Sequence, residues 1–102
     1  MLLPEDCRCI EEVRENIDQI DRQIVTLLAK RGGYVKQAAR FKQNRAEVQA
    51  PQRVEQVIAK VTSLADELGA NRPVVEQVYR AMISAFIAAE LAEHAALGKQ
   101  EV

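Results

Sequence analysis

From Ile10 to Phe41 apolar residues return every seven positions on two rails, with Ile10, Ile17, Ile24 and Ala38 on the first and Val13, Ile20, Leu27, Tyr34 and Phe41 on the second. Seven residues make nearly two helical turns, so the rails form one stripe along an α-helix and rule out the period-two alternation of a strand. The beat passes through Gly32 and Gly33. Two adjacent glycines cost a helix interior roughly 2 kcal/mol relative to alanine. A turn there would free the next segment to start in any phase, yet Ile24, Leu27, Arg31, Tyr34, Ala38 and Phe41 stay in register. One continuous helix from about residue 9 to Lys42 or Gln43 is expected, capped by Asp6. The glycine pair then leaves room for a close neighbour, another helix or a ligand, beside Arg31.

Two further helices follow. Residues 44–50 lose the beat and read as a loop. Pro51 suits the first turn of a second helix with the stripe Val54, Val57, Ile58, Val61, Leu64, Ala65 and Leu68, stopped by Gly69. Asn71 and Pro73 open a third, whose apolar face runs through Val75, Val78, Tyr79, Met82, Ile83, Phe86 and Ala89 until Gly98. Hairpin dipeptides and sustained alternation are missing, so the expected class is all-α, a three-helix protomer with a long first helix. At 102 residues the whole chain, 1–102, is expected to form a single domain small enough to gain from oligomerisation. The first helix would be on the order of 50 Å long, against roughly 33 Å across a compact globule of this size. Its overhanging rail needs a cover, most simply a second copy lying antiparallel in a homodimer.

The totals exclude several classes. A net charge of −1 and a pI near 5.8 supply no basic footprint for nucleic acid. The opening Met-Leu-Leu-Pro-Glu-Asp-Cys brings proline and acid before any apolar signal core could form, and the apolar stretch Ala81 to Ala89 is far too short to span a membrane. A cytoplasmic protein without membrane attachment is expected. Cys7 and Cys9 then read as reduced thiols, and with His94 the only histidine no metal site is expected.

Within this stripe Arg31 is out of place, since it occupies a position on the first rail. A guanidinium keeps its proton, and burying it unpaired is costly, so an anion is expected to meet it. Arg14 and Lys42 share a heptad position flanking that rail. Arg31 and Lys42 would lie about 16 Å apart along the axis, within reach of opposite ends of one small molecule, whereas Arg14 is about 25 Å from Arg31. In an antiparallel pair Arg14 of a second chain completes the cluster, and Arg53 in the first turn of the second helix adds a fourth cation. Four such cations suit a small dicarboxylate. Taken singly, Arg14 also fits a solvated pair with Glu11, Glu12 or Asp18, Arg53 and Lys42 fit exposed positions, and Arg31 fits a device that fixes helix register. Arg40, Arg45, Arg72, Arg80, Lys30, Lys36 and Lys60 read as solvated.

Glu90 extends the stripe Tyr79, Ile83, Phe86 and so faces inward. It fits either a salt bridge to one of the cations, a helix-end glutamate in solvent, or a protonated carboxyl that donates to a substrate oxygen. No nucleophile constellation and no phosphate-binding glycine loop accompany these residues. Any chemistry must rest on placement and charge, with no cofactor.

The segments Pro4-Glu5-Asp6-Cys7, Val13-Arg14-Glu15, Ile17-Asp18, Ile20-Asp21, Tyr34-Val35-Lys36, Arg40-Phe41-Lys42 and Ala50-Pro51-x-Arg53-Val54 resemble, over nearly the whole chain, the all-helical chorismate mutase family, and within it the isochorismate pyruvate lyases. The resemblance implies an intertwined homodimer of the chorismate mutase II type. It also implies that Arg14 of one protomer, with Arg31, Lys42 and Arg53 of the other, grips the carboxylates of isochorismate or chorismate. Lys42 would meet the ether oxygen whose bond breaks, and Glu90 would bind substrate. The implied reactions are pericyclic: isochorismate to salicylate and pyruvate, feeding a siderophore or related product, or chorismate to prephenate for aromatic amino acids. Dedicated mutases of this fold usually carry glutamate directly after the arginine that opens the second helix; here Val54 stands there and Glu55 comes one later on another face. That favours the lyase, with secondary mutase activity. Glu90 stands where the lyases carry glutamine, and Gly32-Gly33 and Ser84-Ala85 are smaller than the residues expected there. A non-catalytic helical dimer binding a partner through its heptad face is the reading from another class.

Overall fold

A computed structural model describes residues 6–98; Pro4 and Glu5 of the opening motif, and the signal-peptide reading of residues 1–5, lie outside the described residues. Every regular element within it is helical: α1 (Ile10–Ala39), α2 (Arg45–Gln49), α3 (Pro51–Leu68) and α4 (Arg72–Ala96). By contacts the chain divides into two compact units, one through Tyr34 and one from Val35 onward.

α1 runs unbroken through Gly32 and Gly33 for 30 residues, about 45 Å at the α-helical rise. The phase argument therefore holds. Its start differs from expectation: Asp6 lies outside the helix, and Glu12, in the first turn, accepts from the Arg8 amide at 2.9 Å. Glu11 and Glu12 also put negative charge where the helix dipole favours it. Within the first unit the stripe is bare, with Ile17 and Ile24 each 48% and Leu27 62% exposed. At Gly33 none of the described residues stands within 4 Å of where a Cβ would be.

The C-terminal end of α1 corrects the sequence reading, which carried the helix to Lys42 or Gln43. After Ala39 the amides of Arg40, Phe41 and Lys42 bond to the carbonyls of Gln37, Ala38 and Ala39, at 3.1, 3.0 and 3.4 Å. These bonds span three residues, the tightening by which a helix closes its last turn. Phe41 keeps the heptad phase but is 78% exposed.

The segment expected as loop holds α2. Asn44, with extended backbone, accepts from the Glu47 amide at 3.0 Å, while the Glu47 carboxylate takes the Gln43 amide. This is close to a capping box, and Asn-Arg-Ala-Glu spells its pattern in the sequence. Ala50 then turns left-handed (φ 34°) and its amide closes α2 on Ala46, so that Pro51 starts α3 directly.

α3 and α4 form a helical hairpin. Gly69 (φ 73°) ends α3, Ala70 donates to the Ala65 carbonyl at 2.8 Å, and the Asn71 side chain caps α4 by accepting from Val74 at 3.2 Å. The ion pairs Arg72–Asp66 and Arg80–Glu55, both 2.9 Å, run in opposite sequence directions and mark antiparallel packing. The core of this second unit comprises Ala39, Val48, Ile58, Val61, Ala65 and Ile83, with Thr62, Glu90 and His94 buried among its polar residues. Thr62 satisfies its hydroxyl on the carbonyls of Ile58 and Ala59 at 2.8 and 3.1 Å. Gly98 closes the end of α4, its amide donating to the Ala95 carbonyl at 3.0 Å. Among the described residues, no helix is long and apolar enough to cross a membrane.

Candidate active site

Lys42 lies just past the tightened turn that ends α1 and within the second unit. Its ammonium donates to Glu90 Oε2 at 2.9 Å, with side-chain exposures of 27% for Lys42 and 9% for Glu90. Glu90 thus faces inward, as its place in the α4 stripe requires, and its partner is one of the expected site cations. One turn further along α4, on the same face, His94 is 2% exposed and places Nε2 2.9 Å from the main-chain carbonyl of Lys42. A carbonyl oxygen only accepts, so Nε2 carries the proton. α4 therefore holds Lys42 by both its side chain and its backbone. His94 entered the sequence reading only as the single histidine, too little for a metal site or a nucleophile constellation; its spacing of four from Glu90 was the available signal.

Arg53 is exposed in the first turn of α3. Arg14 is exposed and Arg31 half-buried on α1 in the first unit. They are 17 residues apart on one continuous helix, about 25 Å, too far to close on a small ligand within one chain. Of the expected site residues, the structure brings Lys42 and Glu90 into contact. Val54 is half-buried. Glu55, the acidic residue one place later, is gripped by Arg80 through two bonds of 2.9 and 3.1 Å, and Arg80 also donates to Glu76 at 3.1 Å. The hydrogen bonds from Arg80 hold the Glu55 carboxyl below its ordinary value, and the same bonds raise Arg80. Arg80 is exposed, as expected, and in addition links Glu55 of α3 to α4 across the surface of the hairpin. An open depression on α3 lined by Pro51, Gln52, Glu55, Gln56 and Ala59 carries no cation.

An ammonium has three donors. More than a quarter of the Lys42 side chain is exposed, so an oxygen arriving from solvent can reach the ammonium beside Glu90. Such a group stabilises negative charge that develops as a bond to oxygen breaks, without taking part in proton transfer. Among the described residues no group of three or more His, Cys, Asp or Glu side chains could hold a metal ion; Cys7 and Cys9 are not joined in a disulfide, and Cys7 Sγ accepts from Asn16 Nδ2 at 3.7 Å.

Comparison with known proteins converges on the same family. Residues 13–91 match the model of the chorismate mutase type II family. The isochorismate pyruvate lyase of Pseudomonas aeruginosa is 40% identical over 91 residues, covering 89% of this chain and 90% of the relative. The matched span holds Arg14, Arg31, Lys42, Arg53 and Glu90 together, and the chain belongs to the chorismate mutase type II family of enzymes.

Proposed function

We propose that this chain is an isochorismate pyruvate lyase that converts isochorismate to salicylate and pyruvate in one pericyclic step, with chorismate mutase activity as a side reaction. The 40% identity to a lyase across nine-tenths of both chains carries the reading. The α3 opening supports it: Val54 stands where the mutases of this fold usually place glutamate, and Glu55 is already occupied by Arg80.

The site works as a homodimer. The exposed apolar stripe of α1 favours burial against a second copy, since full burial of each such side chain is worth about 1.5–3 kcal/mol. Arg31, Lys42 and Arg53 of one subunit and Arg14 of the partner subunit bind the two carboxylates and hold the substrate in its reactive conformer. A ring hydrogen passes to the enolpyruvyl side chain as the ether C–O bond breaks, so pyruvate departs and the ring is left as salicylate. Lys42 meets the ether oxygen and offsets the charge growing there. Glu90, bonded to that ammonium at 2.9 Å, aims it at the substrate. No cofactor is needed, because fixed charge and orientation supply what the reaction requires.

The second reading, a mutase forming prephenate, draws on the family match itself. Incubation with each substrate separates the two: fluorescent salicylate from isochorismate is expected, with a slower yield of prephenate from chorismate. Prephenate alone would assign the chain to the mutases.

A further inference from the structure

We propose that His94 is a positioning residue, which fixes the catalytic reach of Lys42 by holding the Lys42 main-chain carbonyl. The proposal rests on the role given to Lys42 in the reading above. Lys42 follows the end of α1, and its amide makes a long bond, 3.4 Å, to the Ala39 carbonyl. A residue just past a helix end has no regular hydrogen-bond ladder to define it, so its backbone can drift and carry the side chain with it. The 2.9 Å bond from His94 Nε2 closes that freedom. Glu90 and His94 are one turn apart on the same face of α4, and they grip the two ends of one residue: Glu90 the ammonium, His94 the carbonyl. A lysine held at one end only could pivot about it. Held at both, its ammonium has a fixed position relative to α4.

The bland alternative is a histidine that merely fills volume near the end of the helix. Two variants distinguish them. His94→Gln keeps an N–H donor at similar reach, whereas His94→Phe keeps ring volume and loses the donor. For a positioning role His94→Phe lowers kcat for salicylate formation by about tenfold or more with a smaller change in KM, because misplaced reacting groups lose rate steeply. His94→Gln stays close to the wild type. Amide hydrogen exchange of residues 40–43 accelerates in His94→Phe and not in His94→Gln. Equal kcat in His94→Phe and wild type, or the same loss in both variants, overturns the proposal.

A readout independent of turnover comes from His94 being the sole histidine of the chain. A long-range proton–nitrogen NMR spectrum at pH 8.5, where an ordinary imidazole is neutral, reports its tautomer without assignment. The expected ring is protonated at Nε2; protonation at Nδ1 alone overturns the proposal whatever the activity. A wild-type protein with the Nε2 proton in place that transforms neither isochorismate nor chorismate instead defeats the functional reading. The catalytic part of the proposal then falls with it, while the hold on the turn survives.

Discussion

Neutralising Lys42 should leave Glu90 as a buried carboxylate without its cation, and a second substitution at Glu90 should then restore stability that the first removed. At the observed 2.9 Å separation, the bare attraction is about 1.4 kcal/mol at the dielectric of water and about 5.7 kcal/mol at an effective value of 20. Desolvation offsets part of this, and with 27% of the Lys42 side chain exposed a coupling of about 2 kcal/mol is expected, above the median for surface pairs and below that for fully buried ones. The order of stability follows. Lys42→Met costs most, because the carboxylate that remains is only 9% exposed. Glu90→Gln costs less, since the amide oxygen still accepts from an ammonium that can turn to water. The double variant is more stable than Lys42→Met alone. Urea unfolding followed by circular dichroism, at one protein concentration because association adds to apparent stability, measures all four corners of the cycle. Additivity within about 0.5 kcal/mol would mean that the two groups do not interact. A double variant no more stable than Lys42→Met would refute the reasoning.

Asn44→Ala removes the cap of α2 and should cost about 1 kcal/mol in the same unfolding assay; Asn44→Asp, which keeps an accepting oxygen, should retain most of it. Arg80→Met should change the acid limb of the stability curve. The folded Glu55 carboxyl titrates below its unfolded value, about 4.3 for glutamate, because Arg80 bonds favour its charged form. Its contribution is therefore full above that value and is lost as pH falls through the lowered folded value. A stability-against-pH profile of Arg80→Met should lack this component, and an acid limb superimposable on the wild type would contradict the assignment.

The sequence disclosed most where one residue's chemistry fixed the backbone. Gly69, Asn71, Pro73 and Gly98 bound the hairpin as their side chains, or lack of one, require, and the unbroken phase across Gly32 and Gly33 carried α1 through two poor helix formers. It misled at the end of α1, because heptad phase describes which face a residue occupies and not which carbonyl its amide finds. Phe41 kept the phase after the ladder had already tightened. α2 was legible in Asn44 and Glu47 as a cap pattern and was passed over for want of an apolar stripe, which a helix of five residues cannot carry. At the site, inward-facing Glu90 followed from periodicity, but its partner did not, since Lys42 lies 48 residues away and several cations were equally eligible. The solvated reading of Arg80 agrees with its exposure, but its partner was hidden for the same reason: the bond to Glu55 crosses 25 residues and exists only once α3 and α4 pack.

The central claim is that one site draws cations from two chains, and subunit complementation tests it most directly. Arg14→Ala and Arg31→Ala are each expected to abolish salicylate formation. Refolded together from denaturant in equal amounts, they should pair at random, so that half the dimers are mixed and each mixed dimer carries one intact site, returning about a quarter of wild-type activity. Activity no greater than the sum of the two inactive variants, with mixed dimers demonstrably present, would contradict the account.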